Sequence, residues 1–252
     1  MRAALILLVG VLAASAQPTV TNARMETQAF AGDLDSQLRG AGPMWFGYEV
    51  KTMRRSGEDY CDGHTVQPIH LEGSDRGAIY FRVANNQVEK IQVHSLGCEV
   101  DAGGLPIVWL TAVPVQASLA YLQKQVGGRL ANGAIFAISR HDDPRAIDLL
   151  IQDAKNEPST HTREQALFWL AQRAGARASA AIVDAIVNDP DTQVKKRAVF
   201  ALSQLPKDDG VPKLIEVAQT QRNPEVRKQA FFWLGQSHDP RALAFIETVL
   251  TK

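Results

Sequence analysis

The chain has 252 residues, room for two modest domains. Its 27 basic and 27 acidic side chains cancel, so no bulk charge points to nucleic acid or to an anionic membrane. Beyond an apolar run near the start, no stretch approaches the length needed to span a bilayer.

Arg2 precedes the apolar run Ala3–Ala14, and Ala14-Ser15-Ala16-Gln17 follows. A basic residue, a short apolar core and an A-x-A site together predict a secretory signal peptide over residues 1–16, cleaved after Ala16. The alternative is a retained N-terminal anchor. No cysteine follows the cleavage site, which argues against lipidation there. The expected location is secreted or periplasmic, with no stable membrane insertion.

Residues 17–43 read as a polar lead-in with a short helix around Ala31–Leu38. From Met44 the pattern changes to period two, which predicts a small antiparallel β-rich domain of three to five strands over residues 44–113. Trp45-Phe46-Gly47-Tyr48-Glu49-Val50 is one strand. The clearest hairpin joins Ala78–Val83 to Val88–His94 through Asn85-Asn86, residues that tolerate the positive φ of tight hairpin turns. Ile79, Phe81 and Val83 share a face, as do Ile91 and Val93. Asp101-Ala102-Gly103-Gly104 reads as a turn, and Pro106–Leu110 as a last strand leading into the C-terminal half.

Both cysteines, Cys61 and Cys98, lie in this β-rich segment. In an exported protein they predict one disulfide, worth about 3–4 kcal/mol in the chain-entropy treatment. Cys61-Asp62-Gly63-His64 and His94-Ser95-Leu96-Gly97-Cys98 leave a second arrangement open, a zinc site on Cys61, His64, His94 and Cys98, and free thiols a third.

Residues 114–252 repeat. Phe136, Phe168, Phe200 and Phe232 recur every 32 residues, each inside an apolar core such as Ala230-Phe231-Phe232-Trp233-Leu234. Gln172, Gln204 and Gln236 hold the same register. His141-Asp142-Asp143-Pro144-Arg145-Ala146 returns as His238-Asp239-Pro240-Arg241-Ala242. A fixed period of this size predicts stacked helix pairs that bury their apolar faces only against their neighbours. The V-R-x-x-A-x-x-[AW]-L-G pattern, followed by D-P-R-A and an apolar helix, resembles the short HEAT repeat first named in phycobilisome lyases. The fold class is thus α+β: a C-terminal α-solenoid of HEAT-type helix pairs after the small β-rich domain. Four A/B pairs and a final A helix at Pro240–Leu250 are expected, with Phe245 and Val249 left uncovered at an end that suits a homodimer.

Within each B helix the positions starting from Leu130, Thr162, Val194 and Val226 form the core stripe, and Trp169 and Trp233 fall on it. Leu167, Val199 and Phe231 suit packing between repeats. The four phenylalanines lie off that stripe, in a mostly polar sector. The resemblance implies that this sector faces a concave groove; packing between adjacent B helices is the alternative.

Catalytic signals are thin. No H-E-x-x-H, G-x-S-x-G, phosphate loop or C-x-x-C-H occurs. HEAT-type metal hydroxylases place His-Glu pairs on successive repeats, and this chain has no such dipeptide. His141 and His238 sit in equivalent turns, where Asp143 and Asp239 suit helix caps with Pro144 and Pro240 behind them. The resulting expectation is an exported protein–protein interaction scaffold without a cofactor. Phe136, Phe168, Phe200 and Phe232 would anchor a protein segment, and Gln172, Gln204 and Gln236 would bond its backbone. Arg140, Arg197, Lys196 and Lys228 would favour acidic side chains. The runner-up is an enzyme or accessory factor using Cys61, Cys98, His64, His94 and Asp101.

Overall fold

The computed structural model describes residues 17–40, 42–53, 61, 75–173 and 175–251; the expected signal peptide and His64 lie outside them. In chain order the elements are β1 (Thr19–Thr21), β2 (Met25–Ala29), α1 (Leu34–Gln37), β3 (Met44–Lys51), β4 (Arg76–Ala84), β5 (Gln87–Ser95), β6 (Glu99–Asp101) and β7 (Ile107–Thr111). The helices α2 (Val115–Gln125), α3 (Ala131–Arg140), α4 (Pro144–Asn156), α5 (Thr160–Arg173) and α6 (Ala176–Asn188) follow. Then come α7 (Thr192–Ser203), α8 (Lys207–Thr220), α9 (Pro224–Gln236) and α10 (Pro240–Leu250). The protein is therefore mixed α+β, an N-terminal sheet followed by a helical stretch.

The sheet is mixed rather than antiparallel. Its order is β2-β7-β3-β4-β5, with β7 parallel to both β2 and β3, while β3, β4 and β5 form an antiparallel meander. The segment expected to be a loose lead-in supplies two strands: β2 at the sheet edge and β1, which pairs with β6. Their partners lie some eighty residues away in the chain, beyond the reach of a periodicity argument. The short helix does form as α1, with the Asp33 carboxylate accepting from the Asp35 and Ser36 amides. The Asn85-Asn86 turn has φ of 52° and 59° at its two residues, as a tight hairpin requires.

Among the described residues the nine helices from α2 to α10 fall where the 32-residue period puts them, as four pairs and a final helix. The second helices pack in sequence, α3 on α5, α5 on α7 and α7 on α9. Ala134, Ala166, Ala198 and Ala230 are fully buried at equivalent positions, because only a methyl group fits between the two layers there. Asp143 and Asp239 cap α4 and α10 with a proline at the first turn, as the D-P-R-A motif implies. The basic residue of V-R has a parallel role. Arg163 donates to the Glu157 and Pro158 carbonyls, Lys195 to Val187 and Arg227 to Gln221, which serves the free carbonyls that end the preceding helix. Arg163 also forms a buried fork with Asp189, at 2.8 and 3.2 Å.

Sheet and helices bury one continuous apolar cluster that runs from Leu34 through Phe81 and Ile135 to Ala242. Helix α3 comes so close to β5 that a Cβ on Gly133 would stand 3.0 Å from Ile91. A hydrogen-bonded chain crosses the same boundary. The Tyr48 hydroxyl of β3 lies 2.8 Å from Ser118 Oγ of α2, which lies 2.9 Å from His141 Nε2. His141 Nδ1 donates to the Ala137 carbonyl at 2.8 Å, so Nε2 must accept from Ser118, and Ser118 in turn accepts from Tyr48. Burial depresses the imidazole pKa to about 4, which keeps it neutral. His141, two residues before the capping Asp143, thus differs from His238, which directly precedes Asp239 and is exposed with φ of 52°.

On the other helix layer Gln123 Nε2 donates to Asp153 Oδ1 at 2.6 Å. Asp153 Oδ2 and Gln123 Oε1 are both buried without partners. Desolvation raises the Asp153 pKa to about 6, so burial favours its protonated form.

The geometry makes two predictions. Ser118→Ala strands both Tyr48 and His141, so it should cost about 2–4 kcal/mol in denaturant unfolding, against about 1 kcal/mol for Tyr48→Phe. A loss under 0.5 kcal/mol for Ser118→Ala would show that the joint is not held this way. For Asp153, a raised pKa means stabilisation that is complete in acid and is lost as pH rises through about 6. Asp153→Asn is uncharged at every pH, so it should add on the order of 2–3 kcal/mol at pH 7.5, about 1 kcal/mol at pH 4.5 and nothing at pH 3. Equal effects at pH 7.5 and pH 3 would contradict a titrating carboxyl.

Candidate functional site

Each second helix carries its phenylalanine two residues after the buried alanine, off the core stripe. Phe136, Phe168 and Phe200 are half-buried and Phe232 is 53% exposed. They are neither free groove residues nor core. They join a continuous row of rings in which the two tryptophans are the missing links. Phe136 meets Trp169 at 4.7 Å between centroids and Trp169 meets Phe168 at 4.9 Å. Phe168 lies parallel to Phe200 at 6.5 Å, Phe200 meets Trp233 at 5.0 Å, and Trp233 meets Phe232 at 4.9 Å. The sequence expectation placed the tryptophans in the core alone, whereas both are half-buried and bridge to the phenylalanine of the preceding repeat. The signal was present: this position alternates Ala137, Trp169, Ala201, Trp233. Where alanine stands, fully buried, the neighbouring phenylalanines face each other directly.

Arg197 occupies the centre of the row. Its guanidinium carbon is 5.4 Å from the Phe168 centroid and 4.7 Å from that of Phe200, a contact in which the ring faces attract the cation. Arg197 Nε is buried without an acceptor, and its terminal Nη groups bond to nothing among the described residues. Lys196 is half-buried and Lys228 exposed. Among the described residues none of these three cations has a carboxylate within 4.0 Å, although ten ion pairs form elsewhere, for example Lys51–Asp142 and Arg163–Asp189. Arg140 and Gln172 are half-buried, while Gln204 and Gln236 are exposed. Gln204 and Gln236 border a cleft of about 240 Å³ whose walls include Leu205, Val211, Leu214 and Trp233.

Of the N-terminal candidates Cys61, His94, Cys98 and Asp101 are described, and His64 lies outside the described residues. Cys61 and Cys98 are bonded to each other with their Cα atoms 5.7 Å apart, so their sulfurs are not available to the zinc arrangement on Cys61, His64, His94 and Cys98. His94 is buried and edge-on to Tyr80 at 5.5 Å. Asp101 accepts from the Gly103 amide at 2.8 Å, within a turn where Gly103 and Gly104 both have positive φ. No group of three potential metal ligands occurs among the described residues. At the C-terminal end Phe245 is half-buried and stacks on Phe231 at 5.7 Å, so it is not left uncovered. Leu243, Val249 and Leu250 are exposed on the same helix.

Comparison with known proteins bears on the helical stretch. Residues 179–252 match the family model described as HEAT repeats, which gives this stretch HEAT-repeat character; such repeats commonly mediate protein–protein interaction. The finer phycobilisome-lyase type receives no such support. No curated protein matches the sequence. Among solved structures, human deoxyhypusine hydroxylase in complex with glycerol aligns at 16% identity over 47% of this chain, with a TM-score of 0.39. The aligned part spans 43% of that structure, and similarity at this level says nothing about activity here. No helix among the described residues is long and apolar enough to cross a membrane.

Exposure separates the rings energetically. Phe200→Ala removes contacts to Arg197, Phe168 and Trp233 and should destabilise by about 1–3 kcal/mol, short of the cost for a fully buried ring. Phe232→Ala should stay within about 0.5 kcal/mol of the parent. Chemical unfolding of the two variants checks the ordering, and equal losses would contradict it.

Proposed function

We propose that the protein is an exported scaffold whose helical stretch is an open HEAT-type solenoid, and that a protein segment binds along the row of rings in its concave groove. The observation that carries this reading is the six-ring row, ending in the exposed Phe232, beside Lys196, Arg197 and Lys228, which have no carboxylate of their own. Apolar surface is unfavourable to leave facing water, and cations without a carboxylate of their own attract an acidic ligand, so a segment carrying both kinds of group matches the row. Adjacent helices pack roughly 10 Å apart, about the rise of three residues in an extended chain, so successive rings meet every third ligand residue. Gln172, Gln204 and Gln236 would bond the ligand backbone, and Arg140 with the three cations would favour acidic side chains. Export is supported by the Cys61–Cys98 disulfide, which persists in oxidising compartments. The exposed Leu243 and Leu250 support a homodimer through the C-terminal end.

The test is selection of peptides from a random display library against the mature protein. Peptides recovered on the parent should bind Phe232→Ala about thirtyfold more weakly, a loss of about 2 kcal/mol, while the variant keeps its melting temperature. Selected peptides that bind Phe232→Ala and Phe168→Ala as well as the parent would end the groove reading.

A further inference from the structure

We propose that the segment bound along the row of rings is a proline-rich chain in the polyproline II conformation, with acidic residues on the side that meets Lys196 and Lys228. The proposal rests on the groove reading above and names the class of partner.

The rings fall into two platforms. Phe136, Trp169 and Phe168 follow one another at 4.7 and 4.9 Å between centroids, and Phe200, Trp233 and Phe232 at 5.0 and 4.9 Å. Each platform therefore spans no more than one helix-to-helix spacing of roughly 10 Å. Between the platforms Phe168 stacks on Phe200, with Arg197 against both. A ligand that crosses the helices touches this row with one face only. In a β-strand successive side chains point to opposite faces, so residues three apart turn away from each other. A strand therefore cannot keep every third residue on the rings. The polyproline II helix has three residues per turn and rises about 3.1 Å per residue. Its residues i, i+3 and i+6 share one face at intervals of about 9.3 Å, which places one contact on each repeat.

The polar groups beside the rings separate this ligand from an α-helical one. Gln172, Gln204 and Gln236 each follow a phenylalanine by four residues, one turn further along the same face. Lys196 and Lys228 stand four residues before Phe200 and Phe232. The rings thus run between amides on one side and cations on the other, and both kinds of group donate hydrogen bonds. An α-helix spends its carbonyls on its own amides, whereas polyproline II leaves them free. Proline adds a carbonyl and no N–H, so a proline-rich chain brings acceptors without donors that need partners. It is also stiff before it binds, which reduces the entropy lost on ordering, and aromatic surfaces accommodate it. Among the described residues Lys196, Arg197 and Lys228 have no carboxylate within 4.0 Å. Glu164 takes the equivalent of the Lys196 position one repeat earlier, so the acidic residues of the ligand belong over α7 and α9.

The experiment uses fluorescein-labelled peptides, with anisotropy read on the mature protein at low salt. A peptide of four Pro-Pro-Glu units should bind about tenfold tighter than three counterparts of equal length. These are built of Ala-Ala-Glu units, which keep charge and spacing but not the conformation, of strand-forming Val-Thr-Glu units, and of uncharged Pro-Pro-Gln units. Affinity should rise from two Pro-Pro-Glu units to four and then level off, because four repeats carry the row. Phe232→Ala and Gln236→Ala should each weaken the Pro-Pro-Glu peptide severalfold, and Lys90→Gln on the sheet should not. Circular dichroism checks the fold of each variant, and the comparison of peptides on the parent stands even if a variant fails to fold. If Ala-Ala-Glu or Val-Thr-Glu peptides bind as tightly as Pro-Pro-Glu, the polyproline assignment is overturned. If no Pro-Pro-Glu peptide binds while library-selected peptides still depend on Phe232, the ligand class is wrong and the groove reading survives. If the Pro-Pro-Glu peptide binds folded Phe232→Ala and Phe168→Ala as well as the parent, both readings fail.

Discussion

The fold depends on covering the first helix pair. Every other pair in the stack is buried on both sides by helices of its own kind, whereas α2 and α3 have such a neighbour on one side only. The sheet supplies the other side. Phe81, Val83 and Ile91 present an apolar face to the helices, and Gly133 lets α3 settle directly on β5. Polar groups trapped at that boundary would be costly if unpaired, and the Tyr48–Ser118–His141–Ala137 chain pairs each of them in one direction. A pairing of Thr52 with His141 and a Lys51–Asp142 bridge continue the joint to its edge. The first repeat's D-P-R-A turn has thus become part of the sheet boundary, and the last repeat's equivalent remains a surface turn.

The repeat combines two kinds of position. The invariant alanine and the leucine or isoleucine four residues later hold the layers at one distance, which leaves little freedom. The position between them varies between alanine and tryptophan, and that single choice decides how rings from adjacent repeats meet. With tryptophan the ring reaches back to the previous phenylalanine; with alanine two phenylalanines stack across the gap with Arg197 against both. A stack built for packing so acquires a row of aromatic surface with one cation at its centre.

Much of the helical stretch was legible in the sequence. A 32-residue period with agreeing phase determines helix number, helix boundaries and which residues face the core, because each unit interacts only with near neighbours. The Asn85-Asn86 hairpin and the Cys61–Cys98 pairing were legible too, the first from local turn chemistry and the second because only one pair exists. Tertiary structure alone decided the rest. That β7 enters between β2 and β3, and that the polar lead-in forms edge strands, depends on pairings between distant segments that no local pattern encodes. The exposure of the phenylalanines could not be read from helical periodicity, because a residue just off the core stripe is buried or open according to the size of its neighbour's side chain on the next helix. His141 and His238 diverged as well: His141, two residues before its capping aspartate, meets the sheet, while His238, directly before its own, faces water, and only the tertiary contacts decide which.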